Sequence, residues 1–179
     1  GKSFLDTKLG LEKIGINKEV ANDIGIKFLK IAMPWPLEET VIEKFAENLD
    51  KIIVVEEKRS IIETQVKEIL FNKNLKVKVI GKKDENSNDL FVSSGALDPG
   101  EIGLKVYEII KYLQLPDDVN NCSKELKSLT ESTNSNISLK RVPHFCSGCP
   151  HNTSTRIPEG SRAITGISCA YLVEHMERD

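Results

Sequence analysis

With 179 residues, of which 39% are hydrophobic and 29% charged, the chain has the composition of a water-soluble globular protein able to bury one core without disulfide staples. A formal net charge of -2 and a pI near 6 exclude the clustered Lys/Arg surface that nucleic acid or an anionic membrane requires. No apolar run approaches the roughly 20 residues of a bilayer span and "GKSFLDTKLG" lacks a signal-peptide layout, so the expected location is cytoplasmic.

In chain order, Leu5, Leu9, Leu11 and Ile14 mark one face of an amphipathic helix that Gly15 ends. "IGIKFLKIAMPWP" reads as a strand at 26–32, stopped by Pro34 and Pro36, which have no N–H for a ladder. "LEETVIEKFAENLD" has helical spacing through Val41, Ile42, Phe45 and Leu49, and "KIIVVEEKR" is the continuous apolar run of a strand covered on both faces. "SIIETQVKEILFN" is helical again, with Ser60 and Glu63 spaced as a capping box, and "LKVKVIG" alternates as a strand. This alternation is the rhythm of a parallel α/β sheet with right-handed crossovers. Ile102, Val106, Ile109, Ile110 and Leu113 predict one more helix at about 100–114. Residues 116–140 are rich in Ser, Asn and Thr and poor in large apolar side chains, the composition of a linker.

Three of the four cysteines fall in "FCSGCPHNTSTRIPEGSRAITGISC", residues 145–169. The two-residue spacer of Cys146-Ser147-Gly148-Cys149 lets both thiolates turn toward one metal or cluster, and Gly148 permits the φ > 0 backbone that presents N–H groups to sulfur. In a reducing compartment such a cluster favours metal ligation over disulfide bonding. "RAITGISC" reads as a short strand ending in a glycine turn, with Cys169 at its carboxyl end, ahead of helical spacing through Tyr171, Leu172 and His175. Cys122, His144, His151 and His175 offer no obvious fourth ligand, although His151 stands near Cys149.

This window resembles the start of the thiamine-diphosphate-binding domain of 2-oxoacid:ferredoxin oxidoreductases, most closely the long, fused indolepyruvate ferredoxin oxidoreductases of bacteria. "MPWPLEE", "IIVVEEKR", "IETQVKEILFN" and "VIGKKDE" resemble the preceding, transketolase C-terminal-like segment of the same proteins. The resemblance spans essentially the whole chain but only an internal part of the family's full-length protein, so a fragment is expected, as the opening Gly1-Lys2 without Met also suggests. It implies a Rossmann-like parallel α/β domain at 1–115 with its first strand missing, a linker at 116–140, and the beginning of a thiamine-diphosphate-binding α/β domain at 141–179.

The resemblance further implies oxidative decarboxylation of an aryl 2-oxo acid to acyl-CoA and CO2 with reduction of ferredoxin, by a homodimeric parent using thiamine diphosphate, Mg2+, a [4Fe-4S] cluster and coenzyme A. Cys146, Cys149 and Cys169 match cluster ligands of the family, the fourth lying outside this chain, while Gly148, Pro150 and His151 are implied to lie near thiamine diphosphate. No catalytic residue carries over, because the Mg2+-holding segment and the activating acid belong elsewhere in the parent, and the fragment alone is expected to be inactive. The family reads Gly-Ile-Gly-Cys-His where this chain has Gly166-Ile167-Ser168-Cys169-Ala170, so Ser168 and Ala170 depart from it.

Other residues invite blander readings. Glu56 and Glu57 at the end of "VVEE" suit helix capping or a domain contact better than acid–base work. Met33 and Trp35 suit packing between domains, and Arg156 and Arg162 suit either solvent or an anion. Two further functions fit the residues without the resemblance: a non-enzymatic α/β binding module in which the three cysteines and one histidine hold a structural zinc, and an interaction domain with incidental cysteines.

Overall fold

The computed structural model describes residues 1–73, 75–135, 142–164 and 166–176. The chain forms two compact units, Gly1–Ser132 and Thr133–Asp179.

The first unit is built around two short parallel strands, β1 (Lys51–Ile53) and β2 (Lys78–Ile80), with Ile52 opposite Val79. Successive strand residues point to opposite faces. Ile52 and Val54 accordingly pack into one apolar cluster with Ile42, Ala46, Val66 and Leu70. Ile53 and Val55 pack against the other, around Leu11, Ile14, Ile102 and Val106. Helices α3 (Glu39–Ala46) and α4 (Ile61–Phe71) thus cover one face, and α1 (Lys2–Lys13) and α5 (Pro99–Ile110) the other. The class is α/β, as expected.

On the second face α1 and α5 touch backbone to backbone. A Cβ at Gly10 would lie 2.3 Å from the carbonyl oxygen of Pro99, and one at Gly103 would lie 2.3 Å from that of Gly10. Only glycine at both positions allows this approach.

The helices predicted at the start of the chain, around 37–50, 60–72 and 100–114 are all present, with Gly15 at φ 81° after α1. Leu5 and Leu9 nevertheless point outward, while Leu11 and Ile14 carry the burial. A short helix that the periodicity does not announce, α2 (Lys18–Asp23), is capped by the Asn17 side chain, which accepts from the Val20 N–H at 2.9 Å.

Three local expectations change. Residues 26–31 form neither helix nor strand. Ser60 does not cap α4, because the Glu56 carboxylate from the end of the β1 run takes that place; it accepts the N–H groups of Ile61, Ile62 and Glu63 at 2.9–3.0 Å. Glu63 in turn accepts from the Lys82 N–H and pairs with Lys67 instead of closing a capping box. Lastly, much of the stretch 116–140 is helical, α6 (Asp117–Ser135), with Asp117 and Asp118 in a first turn whose dipole favours them. Val119 and Ser123 are buried, and Val119 joins the α1–α5 cluster. No helix among the described residues is long and apolar enough to cross a membrane.

Candidate functional site

The second unit carries the cysteine window. Phe145 is buried and its ring lies 5.7 Å from that of His151, which fixes the entry to the turn. The Cys149 N–H donates to the Cys146 carbonyl at 3.0 Å across Ser147 and Gly148, and Gly148 has φ 75° with no atom within 4 Å of where a Cβ would sit. The sequence expectation for this turn is met: a left-handed glycine lets the chain reverse between the two thiols.

After the turn the backbone continues into α7 (His151–Ser154), with the Asn152 N–H on the Cys149 carbonyl at 3.1 Å and the Asn152 side-chain amide donating to the Cys146 carbonyl at 3.3 Å. Nδ1 of His151 lies 3.1 Å from Sγ of Cys149, within hydrogen-bonding distance for sulfur. Cys146 is exposed and Cys149 half-buried. Among the described residues of this unit, His151 is the histidine that meets a window cysteine. His144 is exposed, His175 stacks edge-on against Tyr171 at 4.8 Å, and Cys122 lies in α6, where its Sγ is 3.6 Å from the point a Cβ on Gly15 would occupy.

Cys169 is placed differently from the expectation. No strand forms over the described part of 161–168, and Cys169 opens a short helix, α8 (Cys169–Leu172), that continues into a 3-10 turn at Val173–His175. Ser168, the residue before it, has φ 64° and ψ -132°, a conformation that glycine adopts freely and an L side chain resists. This is the position at which the resemblance expects glycine. Among the described residues no three His, Cys, Asp or Glu side chains converge as ligands of a metal ion would, and Cys146 and Cys149 share one turn. Pro150 precedes α7, and Gly148, Pro150 and His151 share one short segment.

Asn152 and Phe145, which hold the turn, escape a reading based on ligand types. Their only sequence signal is adjacency to the cysteines. Arg156 and Arg162 do share a surface: both line one cleft with Glu174. In the first unit, Glu56 is the cap of α4, and Glu57 accepts from Lys2 at 3.0 Å and from the Leu97 N–H at 3.3 Å, so neither is presented as an acid–base pair. Met33 and Trp35 are exposed, and the loop between them and Leu37 is clamped by Gln65, which donates to the Pro34 carbonyl and accepts from the Leu37 N–H.

A family model, the indolepyruvate oxidoreductase domain, matches residues 1–135. The chain belongs to the indolepyruvate oxidoreductase family. Its similarity extends to the indolepyruvate oxidoreductase subunit IorA of Thermococcus kodakarensis, 28% identical over 93% of this chain and 26% of the relative, and to that of Pyrococcus abyssi, 27% identical over 83% of this chain and 22% of the relative. The chain therefore spans about a quarter of the length of the curated relatives it matches. No solved structure matches. The family match covers the α/β unit, and the Thermococcus alignment, at 93% of the chain, takes in at least part of the cysteine window as well.

Proposed function

We propose that this chain is a segment of an indolepyruvate:ferredoxin oxidoreductase-like enzyme whose cysteine turn holds an electron-transfer cluster. In the full-length parent an aryl 2-oxo acid is decarboxylated oxidatively to acyl-CoA and CO2, and ferredoxin is reduced. The parent is cytoplasmic and homodimeric, and its first unit here is a transketolase C-terminal-like domain that precedes the start of a thiamine-diphosphate domain. The observation that carries the reading is the Cys146–Cys149 turn, closed by one backbone hydrogen bond over an open left-handed glycine, in a chain that belongs to this family.

The donor set suits an iron–sulfur cluster: soft thiolates, anionic when deprotonated, on one short turn. When bound, thiamine diphosphate with Mg2+ supplies carbanion stabilisation and a [4Fe-4S] cluster supplies one-electron transfer. Cys146, Cys149 and Cys169 are the ligands from this chain, with a fourth from the rest of the parent. Asn152 holds the Cys146 carbonyl and Phe145 stacks on His151, so the turn keeps its shape when the thiols are deprotonated. Gly148, Pro150 and His151 border the cofactor. This chain alone does not turn over.

The 3.1 Å contact of Cys149 with His151 favours one other arrangement, a structural zinc on Cys146, Cys149, Cys169 and His151. The two separate cleanly. The full-length parent, purified anaerobically, is expected to contain iron and sulfide, to show the broad visible absorption of a cluster, and to reduce ferredoxin or a viologen in the presence of coenzyme A and an aryl 2-oxo acid. Stoichiometric zinc without colour, or no substrate-dependent reduction, overturns the reading.

A further inference from the structure

The cleft that holds Arg156 and Arg162 is shaped by two short segments of the second unit. α7 ends at Ser154, and the Arg156 N–H donates to the Thr153 carbonyl at 3.1 Å as the chain leaves the helix. Residues 158–161 then reverse the chain: the Ser161 N–H donates to the Pro158 carbonyl at 3.0 Å, with Gly160 at φ 77°, a conformation that glycine adopts freely. After that turn Arg162 comes back to the cleft that Arg156 lines. Val173 and Glu174, in the 3-10 turn that continues α8, add to the lining. The cleft measures about 590 Å³, within the range of sites for small organic molecules.

Its charge is unbalanced. Among the described residues no ion pair involves either guanidinium. Two guanidinium charges against the carboxylate of Glu174 leave the cleft net positive. A concave surface focuses such a field and draws anions to it. The planar fork of donors on each guanidinium matches the oxygens of a carboxylate or a phosphate. Apolar surface stands open beside these charges: Ile157 and Ile164 both line the cleft, yet they are 50% and 96% exposed. An inorganic ion would use the arginines and leave that surface wet. An organic anion would cover both.

We propose that this cleft binds a small organic oxyanion, its carboxylate or phosphate head held by Arg156 and Arg162 and its apolar portion laid on Ile157, Ile164 and Val173. An aryl 2-oxo acid carries such a head as a carboxylate and coenzyme A carries one as a phosphate. The guanidinium fork reads what the two share. The inference stands on the cleft and not on the proposed activity, and it concerns residues other than those of the cysteine turn.

Arginine labelling by phenylglyoxal, mapped by mass spectrometry on the full-length parent at constant ionic strength, tests it. Without ligand, Arg156 and Arg162 are both expected to be labelled. Phenylpyruvate or coenzyme A at about ten times its Kd is expected to slow labelling of both about tenfold, and to leave exposed Arg59 of the first unit unchanged. Which of the two protects identifies the source of the head. Arg162→Gln, a substitution of an exposed side chain, is expected to remove the protection of Arg156, because the anion then loses half of its clamp. Absence of labelling in the unliganded parent overturns the proposal, since the cleft is then filled by polypeptide. Failure of both organic anions to protect overturns it as well, as does equal protection by inorganic phosphate at the same concentration, or protection of Arg156 that persists in the Arg162→Gln variant.

Discussion

The thiol of Cys149 lies 3.1 Å from Nδ1 of His151, and the imidazole in turn stacks on the buried ring of Phe145. One thiol of the C-x-x-C pair is thereby oriented before any ligand arrives, while Cys146 stays exposed. In the full-length parent, Cys146→Ser and Cys149→Ser are each expected to remove most of the iron and sulfide and the visible absorption. Cys122→Ser, in α6 beside Gly15, is expected to leave all three unchanged. Cys169→Ser, at the third proposed ligand, is expected to match the first pair, and iron retained at the parent level in that variant overturns its assignment.

The cap of α4 is a separate matter of stability. Glu56 is 7% exposed and accepts three main-chain N–H groups at the helix start. Glu56→Ala leaves these buried donors without a partner and is expected to cost about 2 kcal/mol in urea unfolding. Ser60→Ala removes no cap bond and is expected to change stability by under about 0.5 kcal/mol. The reverse order would restore the capping box that the sequence predicts.

Close approach of α1 to α5 admits no side chain at Gly10 or Gly103. Gly103→Ala is expected to force the helices apart and lower stability by about 1–3 kcal/mol, seen as a reduced denaturation midpoint. Gly25→Ala, where nothing lies within 4 Å and only the positive φ is at issue, is the control and should cost less.

The contact that pins α1 to the end of β1 is ionic and carries a pH signature. The Glu57 carboxyl is held below its ordinary value of 4.5, first by the Lys2 ammonium and then by the Leu97 N–H. Lys2 is raised above 10.5, first by Asp6 and then by Glu57. A depressed carboxylate stabilises the fold above its unfolded value and loses that contribution as pH falls through the folded one; a raised ammonium loses its contribution as pH climbs through its folded value. Glu57→Gln is therefore expected to be less stable than the parent sequence at pH 7, with the difference vanishing below the lowered carboxyl value and shrinking in high salt. Thermal melts across pH 2–11 check this, and a difference that persists in acid would assign the effect to packing.

The elements legible in the sequence are those whose signal is local. Periodicity within one helix announces α1, α3, α4 and α5, an apolar run announces β1, and a two-residue spacer with glycine announces the turn from Cys146 to Cys149. What escaped depends on partners distant in the chain or on competition between groups. Residues 26–31 have the composition of a strand, but a strand exists only where a second edge bonds it. Glu56 displaces Ser60 because a carboxylate at the end of a buried run reaches three amides that a hydroxyl does not. In α6 the low apolar content points to a linker, yet one buried valine seated against α1 and α5 and two aspartates in the first turn accompany a continuous helix. The sequence by itself determined the α/β class and the glycine turn between Cys146 and Cys149, since both reside in residue type and short spacing. Only the tertiary structure decided which edges are paired, which carboxylate caps, and that Cys169 opens a helix instead of ending a strand, because each is set by burial and by contacts that no local pattern encodes.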